Sequence, residues 1–593
     1  MKILKRKEVP ESLKWDLTRL YDNDREFLNS LKKTSEKIDK FYKNYKGKLK
    51  SEAYLLEALE AYEKILEEIS SLTNYSELKL SVDMTDEDAQ KISGKYENFA
   101  SSYLYKLNFF ESEIIDLDEK VIKNLIEKNT TYKRYLEKLL EKKAHTLSLD
   151  EEELISKLNI SLDGPYGTYE VCKLSDMDFD DFEVDGKTYK NSYGNYENLY
   201  CYSKNTEIRR KSYNSFYNEL KKYKNTTASV YINHVKTEKQ LASIRGYDSV
   251  FDYLLFDQEV TKEMYFKQID LFMDEFSPVI RKYLATVKKY YKLDKMTFAD
   301  IKLKIEKDNK FTIENAEKEI CDALKIMGED YLERAKSAFT DRWVDYANNV
   351  GKSTGGFCAS PYRKGSYILM TFAEVLSSGF TLSHEIGHGV HFSFAQEFNK
   401  ILEEEPSLYM IEAPSTMNEL IFANSMIEKA KTREEKLFIY SALVGDTYFH
   451  NCVTHLLEAA FQREIYLILY RGEDLTENIL EEKFGQILER FFGDSIEIDN
   501  CAKLTWMRQP HYYMGLYSYV YSASLSIATQ VFLKIKEDRT YAKKWIKVLE
   551  SGGSKTLRET LAIVDINIDD TSFIENAISY VDELVKEMEG LLQ

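Results

Sequence analysis

From Leu55 to Leu72 (LLEALEAYEKILEEISSL) apolar residues return every third or fourth position, the spacing that lays one stripe along an amphipathic helix. Similar patterns fill most of the first 160 residues and predict a helical N-terminal lobe. The stretch from Asp163 to Tyr200 interrupts them with Gly164, Gly167, Gly186 and Gly194. Within it, Phe182-Glu-Val-Asp-Gly-Lys-Thr-Tyr189 sets an Asp-Gly pair between strand-forming residues, the mark of a tight β-hairpin. The expected division is therefore residues 1–195, a helical lobe ending in a hairpin-containing linker, and residues 196–593. Helical periodicity resumes from about Thr206 to about Leu284, and later segments repeat it. Phe573, Ala577, Val581, Leu584 and Met588 share one stripe at the end, which predicts a docked closing helix.

A second non-helical passage, Gly355-Gly-Phe-Cys-Ala-Ser-Pro-Tyr-Arg-Lys-Gly365 followed by Ser366-Tyr-Ile-Leu-Met-Thr-Phe372, reads as a hairpin with an apolar second strand. Composition agrees with a mainly α fold, since 7 Pro and 23 Gly in 593 residues leave helices uninterrupted. The length exceeds what one hydrophobic core usually supports and allows a deep cleft. A net charge of −18 argues against nucleic acid as a partner. The basic start MKILKRKEVPESLKW has no apolar stretch after it, and no segment is a charge-free run of bilayer length, so a cytoplasmic protein with no membrane partner is expected. Six widely scattered cysteines with no C-x-x-C pair are expected to be reduced.

The chemistry concentrates at His384-Glu385-Ile386-Gly387-His388. On a helix, residues four apart lie about 40° apart around the axis and about 6 Å along it, so both imidazoles can reach one tetrahedral zinc ion. Glu385 projects beside them, where it can take a proton from water at the metal. With 8 His in 593 residues, about 0.01 such matches arise by chance, so accident is a poor explanation. Phe380, Leu382, Ile386, Val390 and Phe394 supply apolar positions around the motif, and buried histidines need partners.

A hydrolytic zinc keeps three protein ligands and an open position. Downstream of His388 stand His391, Glu397, Glu403-Glu404-Glu405, Glu412 and Glu419. Glu397 is over two turns away, the three acids precede Pro406 in a loop-like stretch, and His391 would crowd one side of the metal. Glu412-Ala-Pro-Ser-Thr-Met-Asn-Glu419 is better placed. A helix kinked through Pro414 would align both acids, with Glu412 ligating and Glu419 holding a ligand histidine from behind. Alternatively, Pro414 opens the helix and Glu412 lies just before it. Late in the chain, His511-Tyr-Tyr-Met-Gly-Leu-Tyr-Ser-Tyr-Val-Tyr-Ser522 offers one imidazole and five phenols, groups able to donate to the oxyanion of a tetrahedral intermediate. His450 and His455, five apart, have the wrong α-helical spacing for a shared metal and are assigned no role.

With these residues in view, the chain resembles the M3 family of zinc metallopeptidases, most closely its oligoendopeptidase F branch. The resemblance spans Trp15-Asp-Leu-Thr-Arg-Leu-Tyr21, the Gly356-Phe-Cys358 hairpin, Thr381 to His391, Glu412 to Glu419 and the His511-Tyr-Tyr513 stretch. It implies one Zn²⁺ per chain held by His384, His388 and Glu412, with Glu385 as general base and Glu419 behind the ligands. It further implies that His511 and a tyrosine contact substrate and oxyanion. The register places that tyrosine at Tyr519, with Tyr512 and Tyr517 as competitors and substrate contacts; Gly356 and Phe357 would bind the peptide main chain along a strand edge. The implied fold is a two-lobed helical ellipsoid with a deep substrate channel and a small β-sheet next to the zinc. The implied activity is endopeptidase cleavage of short unstructured oligopeptides. The alternatives are a C-terminal exopeptidase and a non-catalytic zinc-containing peptide-binding protein.

Overall fold

The computed structural model describes residues 4–306 and 310–593. Helices begin where short polar residues accept from the first free backbone N–H groups: Asn23 caps Asp24–Tyr45, Ser51 caps Glu52–Ser81 and Asn205 caps Thr206–Lys222. The Leu55–Leu72 pattern lies inside Glu52–Ser81, with Leu55, Leu59, Ile65 and Leu72 buried. The closing stripe becomes Ser572–Leu591, whose Phe573, Ala577, Val581, Leu584 and Met588 are all buried.

Two apolar cores form. One gathers residues from Trp15 to Leu139 together with Tyr367 and Leu369; the other runs from Phe179 to Met588. Phe179 and Tyr193, on the N-terminal side of position 195, pack in the larger core. The glycine-containing stretch after Asp163 is less broken than its composition suggests, because Gly164 and Gly167 sit in the helix Gly164–Val171 with Pro165 in its first turn, a place where a missing N–H costs nothing.

The hairpin expected at 182–189 forms as β1 (Phe182–Val184) and β2 (Lys187–Tyr189), in the register Phe182↔Tyr189. Its Asp185 and Gly186 both have positive φ (51° and 76°), as a two-residue turn matching the twist of the strands requires. The second hairpin pairs β4 (Phe357–Ala359) antiparallel to β5 (Tyr367–Leu369). A strand absent from the sequence reading, β3 (Val344–Asp345), adds parallel to the far side of β5. The order is β3-β5-β4, leaving β4 at an edge. Buried Asp345 anchors the sheet through Arg6 and Lys352 (2.7 Å). All six cysteines are free thiols. No helix among the described residues is long and apolar enough to cross a membrane.

Candidate active site and metal centre

The His-Glu-x-x-His segment lies in the helix Leu376–Phe398, which buries Phe380, Leu382, Ile386, Val390 and Phe394. Against it packs the helix Ala413–Lys429, buried continuously from Ala413 to Ala423. Pro414 stands in the first turn and Glu412 is the residue just before the helix, so of the two geometries left open the second is realised. The two helices approach at Gly387, where a Cβ would lie 2.6 Å from both Pro414 O and Ser415 Cα. Asn418 Nδ2 donates to Ser383 O and the Ser383 hydroxyl to Asn418 O, both at 3.1 Å. Glycine thus lets one backbone reach the other, and paired polar side chains set the register.

This crossing brings Glu412 Oε2 to 3.3 Å from His384 Nε2 and 3.1 Å from His388 Nε2. Zinc–ligand bonds of about 2.0–2.1 Å give tetrahedral ligand edges of about 3.3 Å, so the donor set fits one zinc ion. Behind it, Glu419 Oε1 accepts from His384 Nδ1 at 2.7 Å, fixing the tautomer that turns Nε2 toward the metal position. Glu419 in turn accepts from the Thr447 hydroxyl, and the Ser415 hydroxyl donates to Glu412 Oε2 at 3.0 Å.

Burial by itself would push the Glu412 carboxyl up, but His388 and His384 beside it hold it well below the usual carboxylate range. Burial likewise opposes charge on His384, yet Glu412 and Glu419 raise it well above the usual imidazole range. Burial pushes Glu385 up against the pull of both histidines, the direction that suits a base working near neutral pH. A Cβ at Gly356 would come within 3.3 Å of Glu385 Oε1, so the β4 edge lies beside the carboxylate.

These groups line a cavity of about 1240 Å³ whose wall includes Gly356, Phe357, His384, Glu385, His388 and Glu412. It exceeds the usual size of a small-molecule pocket, roughly 300–1,000 Å³. Tyr521 lines it too. Tyr519 does not: its ring is fully buried against Tyr265 and Tyr409, and its hydroxyl donates to Gln258 Oε1 at 2.7 Å. Tyr519, the phenol expected at the oxyanion, thus faces away from the cavity, and the phenol on the cleft side is Tyr521, two residues on and about 200° round the helix. Tyr512 is buried against Phe461 and Tyr231, so the substrate contact expected of it is corrected to a packing role. Tyr517 is half-buried beside His511 and Tyr521, with ring centroids 5.7 and 5.4 Å away, and burial pushes its hydroxyl up to about 12. His511 Nε2 lies 3.5 Å from the Tyr521 hydroxyl.

Among the acids set aside, Glu397 pairs with Arg334 and Glu403 accepts from Tyr135 N. His391 is fully buried and, among the described residues, belongs to no group placed to hold a metal ion. His450 and His455 do meet, with Nε2 atoms 3.2 Å apart, because the chain over His450–Thr454 is π-helical. Five residues turn an α-helix about 140° off alignment, whereas the wider π turn, which bonds i to i+5, brings positions five apart close to one face. Glu458, which receives His455 and His511, carried no signal beyond being one acid among a hundred.

A family model described as "Peptidase family M3" matches residues 199–580, and one described as "Oligopeptidase F" matches residues 113–179. The chain belongs to peptidase family M3. An oligoendopeptidase F homolog of Borreliella burgdorferi is 27% identical over 604 aligned positions, covering 100% of both chains. Oligopeptidase PepF of Bacillus subtilis is 27% identical over 99% of this chain and 88% of its own. The fold is that of a Chlamydophila abortus chain of known structure (TM-score 0.85, 22% identity, 100% of both chains) and of oligoendopeptidase-F from Enterococcus faecium (TM-score 0.75, 22% identity, 96% of this chain and 99% of that one).

Proposed function

We propose that the chain is a cytoplasmic zinc-dependent endopeptidase that hydrolyses internal bonds of short unstructured oligopeptides, residues 196–593 carrying the catalytic groups. The observation that carries the reading is the convergence of His384 Nε2, His388 Nε2 and Glu412 Oε2 at one ligand-sized opening on the cavity wall, with Glu385 beside them. His384, His388 and Glu412 would hold the ion. Zinc there would supply Lewis acidity, lowering the pKa of water to about 7 and polarising the scissile carbonyl.

Glu385 takes the proton of the attacking water and passes it to the leaving amine. Glu419 keeps His384 oriented through its Nδ1–H. The free edge of β4 at Gly356 and Phe357 pairs with the extended peptide main chain, placing the scissile bond alongside Glu385. His511 and Tyr521 donate to the carbonyl oxygen as it gains charge. Pairing with a strand edge needs a substrate backbone that is already extended, which favours short unstructured peptides over folded proteins.

An internally quenched peptide blocked at both ends tests the proposal. The wild-type protein with one zinc per chain should cut it, and Glu385→Gln should keep its zinc while turnover falls by orders of magnitude. Unchanged turnover in zinc-replete Glu385→Gln refutes the role of the base. A blocked peptide left intact while its free-ended form is trimmed would establish the exopeptidase alternative.

A further inference from the structure

Of the chain's eight histidines, three outside the zinc motif gather around one buried carboxylate. Glu458, on the helix His455–Tyr470, is 2% exposed. Its Oε2 accepts from His455 Nδ1 at 2.9 Å, from His511 Nδ1 at 3.2 Å and from the Ser518 hydroxyl at 2.9 Å. An ionised carboxylate only accepts, so both rings present Nδ1–H to it. His455 keeps a lone pair on Nε2, which accepts from His450 Nε2–H at 3.2 Å. His511 keeps Nε2 for the side facing Tyr521, 3.5 Å away, and Tyr521 lines the cavity.

We infer that Glu458 is a positioning residue for the reaction: by accepting Nδ1–H of His511, and balancing the charge of a ring that carries a proton on both nitrogens, it orients that ring so that Nε2–H faces the developing oxyanion. The inference rests on the oxyanion role proposed for His511. Two features set the contact apart from ordinary core packing. Glu458 ties His511 and Ser518 to one oxygen atom, so both ends of the loop that leads into Tyr521 are anchored at a single point on another helix. His455, held by the same oxygen, stacks on the Tyr521 ring (centroids 4.0 Å, 17° between planes), so the phenol is braced from the same origin. Burial alone would neutralise such an acid, yet His455 and His511 hold its carboxyl far below the usual range, which keeps it an acceptor at every working pH.

A double-mutant cycle on the zinc-loaded enzyme separates positioning from mere support. Glu458→Gln should lower kcat by about 10–100-fold, the usual cost of losing a carboxylate that orients a functional histidine, with zinc content and KM unchanged. Glu458→Asp, which keeps the charge but withdraws it by one methylene, should fold if Gln does not and should lose a smaller factor of kcat. In a His511→Ala background, Glu458→Gln should cost less than about 2-fold more, since the ring it serves is gone. Wild-type kcat in either folded Glu458 variant overturns the inference, and so does the same factor lost with and without His511. If His511→Ala alone keeps wild-type kcat, the oxyanion reading itself falls and the inference falls with it.

Discussion

Replacing Gly387 by alanine adds one methyl group at the tightest point of the metal centre. The new Cβ would meet Pro414 O and Ser415 Cα at 2.6 Å and Pro414 C at 3.0 Å. These are backbone atoms in the first turn of the Ala413–Lys429 helix and cannot rotate aside. Reaching an ordinary separation of about 3.5 Å requires the two helices to part by about 0.9 Å. Glu412 rides on the displaced helix start, 3.1 and 3.3 Å from the two imidazoles, while metal–ligand distances tolerate only about 0.2 Å. Zinc affinity should therefore fall at least as far as when an orienting partner is lost, about 10–100-fold. Overpacking costs about 1–3 kcal/mol, offset by up to about 1 kcal/mol because alanine suits a helix better than glycine. Competition against a chromophoric chelator reads the affinity. Gly94→Ala, within Glu87–Tyr103 and with nothing inside 4 Å of the added Cβ, serves as control and should bind zinc normally while gaining up to about 1 kcal/mol of stability. Wild-type zinc affinity in Gly387→Ala would refute the claim that this close crossing assembles the ligand set.

Two further outcomes are expected. Tyr521→Phe should lower kcat by about 10²–10³-fold with little change in KM, as loss of an oxyanion donor does, whereas Tyr519→Phe should keep kcat and lose about 1 kcal/mol of stability with its bond to Gln258; steady-state kinetics and denaturant melts on the pair decide, and the reverse pattern would restore Tyr519. Burial lowers His391 to about 3 from 6.5, so its neutral form stabilises the fold fully above about pH 6.5 and progressively less as pH falls toward 3. From pH 7 to pH 5 this residue alone should cost about 2 kcal/mol, and His391→Gln should flatten the pH dependence of unfolding by that amount; an unchanged slope would show that the ring is not buried neutral.

The sequence was informative wherever one element suffices to define a feature. The two motif histidines share a helix face because of their spacing, the Asp185-Gly186 turn is local, and the closing stripe from Phe573 to Met588 needs only periodicity. Features that depend on how elements meet were less accessible. Glu412 could be favoured over Glu397 and Glu403 by its neighbours, but its reach to His384 depends on the Gly387 crossing. β3 is two residues long and exists only because β5 has an open side. Tyr519 and Tyr521 differ by two places, and the phase of the helix Tyr519–Glu537 decides which faces the cavity. His450 and His455 look misaligned under α-helical geometry, and local sequence gives no sign of the π turn that joins them.

The most direct test is a zinc-edge anomalous difference map from crystals of the zinc-loaded protein. A single strong peak about 2.0–2.1 Å from His384 Nε2, His388 Nε2 and a Glu412 carboxylate oxygen, with Glu385 off the ion, is the result expected. A peak held by other residues, or Glu412 turned away from an ion bound only by the two histidines, would contradict it.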